Sequence, residues 1–243
     1  LAKAGLGEGD LECGAHWPLN TAAAGDLSWN HAKPTQLHNN CSGKHAGMLA
    51  ACQALGLPID DYIKPTHPLQ KAHLANVALF CSLPEAEVVI GVDGCGVPTF
   101  GVPLRAAATA YARLASGVGL PEEAAAATRR VREAVWQAPH MISAPGAFNS
   151  ELLATCRGRL IAKGGAEGLF CAGETASAEG LAMKTEDGLG RGLVEAVTAA
   201  LAVRWPSLPC EAFERWRTTR VTNCRGEHVG NVTPVFPVGA LVP

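Results

Sequence analysis

The chain has 243 residues, 48% of them hydrophobic and only 5% aromatic, with 20 basic and 22 acidic side chains and a formal net charge of −2. That is enough apolar material for a sizeable core in a single domain over 1–243. The charge balance supplies neither the basic stripe of a nucleic-acid binder nor the charge run of a disordered tail, and no apolar run reaches the length of a membrane span. A small neutral or zwitterionic partner suits such a composition.

Leu1 to Leu6 read as the last turn of a helix ended by Gly5, as if the chain were entered in its middle. Residues 7–38 are polar and rich in turn formers and are expected to form irregular surface structure. Asn39-Asn40-Cys41-Ser42-Gly43-Lys44-His45-Ala46-Gly47-Met48 then places a thiol, a hydroxyl, an amine and an imidazole in five consecutive positions, Cys41 to His45. A helix from about Ser42 to Leu55, stopped by Gly56 and Pro58, puts Cys41 at its mouth and Lys44 and His45 on the same side, with Ser42 as a cap. The helix dipole there favours a thiolate, which binds metals or attacks electrophiles.

Pro68 opens a second helix, 69–83, with Leu69, Ala72, Val77 and Phe80 on one face. The β-branched run from Glu87 to Val92 reads as a buried strand that ends in Asp93-Gly94-Cys95-Gly96-Val97-Pro98. A cysteine at a helix start and a cysteine at a strand end can meet as two soft ligands, with Lys44, His45 or Asp93 as the third. Without a Cys-x-x-Cys spacing the same residues also fit two buried free thiols and a surface lysine, and Asp93 fits a simple turn cap.

Further helices are expected over 104–115 and 121–137, the second with Arg129, Arg130 and Arg132 on a solvated face, and a short one capped by Asn149-Ser150 and ending at Cys156. Short strands over 159–162, 168–171 and 180–185, a helix over 189–205, and a closing strand pair at 221–223 and 232–236 complete the chain. Helices first and strands later, with one covering helix, indicate an α+β fold with an antiparallel sheet. Nine cysteines make an odd number, and Cys52, Cys81 and Cys171 sit in apolar segments. They behave as small buried hydrophobes, which points to a reducing cytoplasm.

Cys41-Ser42-Gly43-Lys44-His45 with Gly47-Met48, Gly91-Val92-Asp93-Gly94-Cys95, Lys163-Gly164-Gly165 and Glu186-Asp187-Gly188 occur in an order that resembles the Rhizobium-type, or asparaginase II, family over the whole chain. The resemblance implies hydrolysis of L-asparagine, a homodimer, and a serine β-lactamase/glutaminase-like fold with an antiparallel sheet packed against helices. It implies a zinc ion held by Cys41, Lys44 and Cys95; beside these, His45 is read as a supporting residue and Asp93 as orienting the Lys44 amine or the substrate amino group. Lys163, flanked by a strand and two glycines, matches the Lys-(Thr/Ser/Gly)-Gly strand of such sites and becomes the candidate base.

The family's nucleophile is a serine in Ser-x-x-Lys, and neither Ser-x-x-Lys nor Thr-x-x-Lys occurs in these 243 residues. Roughly the first quarter of the family pattern is therefore expected to be missing. Three readings follow: a piece of an asparaginase, a cysteine amidohydrolase using Cys41-x-x-Lys44, and a non-catalytic zinc-binding remnant.

Overall fold

Helix signals in the sequence are strong and local, and they set most of the element boundaries. The computed structural model describes residues 1–235, and its internal contacts gather the chain into two units: Leu1–Leu79 with Leu83–Val102, and Phe80–Ser82 with Pro103 onward.

In the first unit, α1 (Thr21–Trp29) stands where irregular structure was expected. The Asn20 side chain accepts a hydrogen bond from the Ala23 N–H at 3.0 Å, a side-chain cap that starts this Ala-rich turn. Helix α2 (Ser42–Ala54) follows as read, and its N-cap is Cys41; Ser42 lies inside the helix with its hydroxyl on the Leu37 carbonyl at 3.2 Å. Helix α3 (Pro68–Cys81) buries Leu69, Gln70, Ala78 and Cys81, so the expected face is shifted and Ala72 is exposed.

Strands β1 (Val89–Val92) and β2 (Pro98–Gly101) pair antiparallel, Val89 opposite Gly101 and Val92 opposite Pro98. The expected burial of β1 is wrong: Val89 and Val92 are each 70% exposed and Ile90 46%. A two-stranded ribbon has no second layer over it, so β-branched residues here report strand propensity without burial. The core of this unit lies elsewhere, around Leu11, Cys13, Met48, Leu49, Cys52, Tyr62, Leu69, Cys95 and Val97.

The second unit is organised on one antiparallel sheet, β3 (Leu160–Gly164), β4 (Leu169–Glu174) and β5 (Glu179–Lys184), with β4 in the middle. Register places Ala162 opposite Ala172 and Leu160 opposite Glu174, so these residues share a face with Phe170. That face forms a core with Leu152 and Leu153 of α6 (Phe148–Thr155) and Val197 and Leu201 of α7 (Leu193–Arg204).

The opposite face carries α4 (Leu104–Ser116) at very close range. A Cβ added to Gly173 would stand 2.1 Å from the Tyr111 carbonyl oxygen, and one on Gly180 only 1.9 Å from that of Ala108. Only glycine permits this contact of helix backbone with sheet. Helix α5 (Glu122–Gln137) pins the edge strand, its Trp136 Nε1–H donating to the Leu160 carbonyl at 2.7 Å.

Arg132 is not on a solvated face: its guanidinium donates to the Leu114 carbonyl at 2.7 Å and to Thr128 Oγ1 at 3.0 Å. Helix α6 starts one residue before the expected cap, with Ala147 at its N-cap, and the Ser150 hydroxyl instead donates to the Ala144 and Ala147 carbonyls. Helix α7 begins four residues later than expected because Gly192 takes a left-handed conformation at its start (φ 72°). A hairpin of β6 (Thr219–Thr222) and β7 (His228–Val232) ends the described chain; Phe236 of the expected last strand lies outside the described residues.

Mixed helices and small antiparallel sheets make this an α+β architecture. No helix among the described residues is long and apolar enough to cross a membrane.

Candidate functional site

Two local signals bring four chemically active side chains together in the first unit. The mouth of α2 presents Cys41 and, three residues on, Lys44. The turn between β1 and β2 presents Asp93 and Cys95, closed by the Asp93 N–H on the Val97 carbonyl and the Gly96 N–H on the Asp93 carbonyl, each at 2.9 Å. Gly96 has φ 90°, a backbone conformation that favours glycine.

The helix mouth is anchored by Asn39. Its Oδ1 accepts the Cys41 N–H at 2.8 Å while its amide donates to the Cys13 and Gly14 carbonyls at 2.8 and 3.1 Å. Asn39 is buried and ties α2 to the segment carrying Cys13. Nothing in the local spacing announces that role, because the bond closes a 26-residue loop.

The ligand atoms of Cys41, Asp93 and Cys95 lie within 4.8 Å of one another. Lys44 Nζ is 3.2 Å from Asp93 Oδ2, the Cys95 thiol donates to the same oxygen at 3.4 Å, and the Gly94 N–H donates to Asp93 Oδ1 at 2.8 Å. Burial pushes the Cys41 thiol up from its ordinary pKa against the pull of Lys44, with Cys95 adding to the rise. Burial alone would lower Lys44, yet the hydrogen bonds with Cys95 and Asp93 prevail and hold its ammonium above the usual lysine range. Asp93 resists burial through Lys44, the Gly94 amide and Cys95, and lies below the usual carboxylate range.

One ammonium therefore stands among three groups that can become anionic, which is the electrostatic outline of a cation site. Two thiols and a carboxylate form a donor set that suits zinc. Ligand atoms around a tetrahedral zinc stand ~3.5–3.8 Å apart, so the set needs to contract by only about 1 Å.

His45 does not join the cluster. It is fully buried, with Nδ1 2.6 Å from the Tyr62 hydroxyl, which also accepts the Glu12 N–H at 2.9 Å. The hydroxyl proton goes to Nδ1, leaving the imidazole proton on Nε2, which has no partner among the described residues. Burial first, and Lys44 second, lower the His45 pKa, so the ring is neutral at pH 7. Burial raises Tyr62 to about 12. His45 and Tyr62 thus brace α2 from behind the cluster, a pairing 17 residues apart in sequence.

In the second unit Lys163 is the fourth residue of edge strand β3, within the strand and not after it. It is exposed, lies on the α4 face opposite Cys171, and its Nζ donates to the Gly164 carbonyl. Behind Gly164 sits the Asn149 amide: a Cβ on Gly164 would come within 3.0 Å of Asn149 Nδ2. Asn149 Oδ1 is buried and unpartnered among the described residues. Sequence reading assigned Asn149 to a cap, and its place beneath the Lys-Gly-Gly strand comes from the tertiary fold.

Fold and donor sets together define an α+β protein that gathers thiols, an amine and a carboxylate at one helix mouth. The chain belongs to the L-asparaginase II family, whose model matches residues 1–234. Amide hydrolysis is the reaction class that this membership carries, with L-asparagine as the family's substrate. No curated protein matches the chain.

Proposed function

We propose that this chain serves the hydrolysis of L-asparagine to L-aspartate and ammonia. The observation that carries the reading is the convergence of Cys41, Asp93 and Cys95 within 4.8 Å, with Lys44 beside them, in a chain of the L-asparaginase II family. Cys41, Lys44 and Cys95 would hold a zinc ion, with Asp93 orienting the lysine amine and His45 supporting the helix behind it. Zinc would supply a positive centre for an anionic substrate group; the residues fix where that centre stands. Because the free site keeps protons on Cys41 and Lys44, metal binding must displace them.

Lys163 is the proposed base. Water replaces ammonia at the side-chain carbonyl carbon overall: the C–N bond breaks, a C–O bond forms, and the leaving nitrogen gains a proton. The nucleophile is proposed to be a serine of a Ser-x-x-Lys segment outside these 243 residues. Cys41 is disfavoured for that role because burial keeps its thiol protonated.

A three-stranded antiparallel sheet whose edge strand ends in Lys163-Gly164, with Gly165 directly after it and helices on both faces, supports a serine β-lactamase/glutaminase-like fold. Exposed Val89, Ile90 and Val92 offer an apolar surface for a homodimer contact, and nine free thiols, eight of them buried or half-buried, suit the cytoplasm.

The test is ammonia release from L-asparagine by the purified protein, alone and joined to a Ser-x-x-Lys segment. The proposal expects release with the segment and its loss in Lys163→Ala. Unchanged release in Lys163→Ala, or none from the joined protein, would overturn it.

A further inference from the structure

Glu195 stands in the first turn of α7 and is only 6% exposed, yet no described residue makes a hydrogen bond or an ion pair with its carboxylate. The helix N-terminus favours a negative charge, and a carboxylate on a largely buried side chain gains further from a cation or a donor. Its side chain lines a cavity of about 300 Å³ with Arg191, Gly192, Val194, Trp216 and Val232. That volume is at the small end of ligand sites.

The wall has three chemical parts. Glu195 seeks a cation. Arg191, 79% exposed, spends one nitrogen on Asp187 at 3.1 Å and keeps the rest of its guanidinium open to a carboxylate. Val194 and Val232 supply an apolar side together with the face of the Trp216 ring, whose buried Nε1–H has no partner among the described residues, and Thr219 completes the lining. That ring is held in place by Phe148, edge-on with centroids 5.6 Å apart, and by the Arg215 guanidinium 5.3 Å from its centroid.

A ligand matching all three carries an ammonium, a carboxylate and a small apolar side chain. We propose that this cavity binds a free α-amino acid, with its ammonium on Glu195, its carboxylate on Arg191 and its side chain against Val194, Val232 and Trp216. The site belongs wholly to the second unit and uses neither the Cys41 cluster nor Lys163.

Calorimetric titration of the protein with L-leucine tests it. Leucine has no side-chain amide, so the readout is independent of asparagine hydrolysis, and failure here leaves that function standing. Saturable binding of one leucine per chain is expected. Glu195→Gln should weaken it at least about tenfold, as loss of a charged hydrogen bond does, and the exposed Arg191→Ala should weaken it several-fold. Neither 3-methylbutylamine, which lacks the carboxylate, nor 4-methyl-2-oxopentanoate, which lacks the ammonium, should match leucine. The proposal is overturned if leucine gives no saturable heat at millimolar concentration, if either analogue binds as tightly, or if both variants, folded by their melting curves, bind leucine unchanged.

Discussion

Replacing Gly180 by alanine puts a methyl group 1.9 Å from the Ala108 carbonyl oxygen, 2.7 Å from its carbon and 3.0 Å from the Ala112 nitrogen. All three atoms are backbone, so no side chain can swing aside. Helix α4 has to retreat by about 1 Å from β5 before the contact reaches even 3.0 Å, loosening its packing on β4 as well. Overpacking of this kind costs about 1–3 kcal/mol, and the backbone contact places Gly180→Ala near the top of that range, at about 3 kcal/mol.

Gly173→Ala, 2.1 Å from the Tyr111 carbonyl, should cost a similar amount. One retreat of α4 relieves both clashes, so the double variant should lose about 4 kcal/mol and not the ~6 kcal/mol of a simple sum. Gly25→Ala serves as control: it lies inside α1 with nothing within 4 Å of its added Cβ, and should gain up to about 1 kcal/mol. Urea unfolding followed by circular dichroism measures all four variants against the wild type. If Gly180→Ala and Gly173→Ala both stay within about 0.5 kcal/mol of the wild type, the close packing of α4 on the sheet is wrong.

Two further outcomes follow from the first unit. Tyr62→Phe removes the hydroxyl that accepts the Glu12 N–H and holds His45 Nδ1, so it should destabilise the protein by about 1–3 kcal/mol, read as a lower melting temperature; an unchanged melting temperature contradicts the bracing role. Zinc affinity should climb with pH, because the Cys41 thiol and the Lys44 ammonium both titrate above their ordinary values and, with the Cys95 thiol that donates to Asp93, must each give up a proton. Three displaced protons mean about a 1,000-fold rise in affinity per pH unit around neutrality. Competition with a chromophoric chelator measures it, and a rise below about 100-fold per unit contradicts displacement of all three protons.

Legibility in the sequence followed the range of the interaction. Helix α2 and the Asp93–Cys95 turn carry their stop and turn residues beside them, so both sources of the thiol cluster could be placed from local strings. Strands β3 to β5 were equally visible through their Gly-rich punctuation. Helix α1 was missed although Asn20 and the alanines after it are a start signal, because the surrounding residues 7–38 were weighed as one polar block.

β1 was read correctly as a strand and wrongly as buried: β-branched composition records backbone preference, whereas burial depends on whether another layer arrives. Arg132 shows the same limit, since its turn toward the Leu114 carbonyl depends on where α4 crosses α5. Asn39, Tyr62 and Asn149 act through contacts far apart in the chain, and no local pattern marks them. Spacing left Lys44, Asp93 and His45 open as neighbours of the thiols; the family resemblance put Lys44 first, and the geometry sets Asp93 beside the thiols and His45 behind the helix.

The proposed zinc centre of Cys41, Lys44 and Cys95, beside Asp93, is open to metal analysis of the purified protein in comparison with Cys41→Ser and Cys95→Ser. The account predicts about one zinc per chain in the wild type and little in either variant. No zinc in a folded wild-type protein exposed to the metal, or undiminished zinc in both variants, would contradict it.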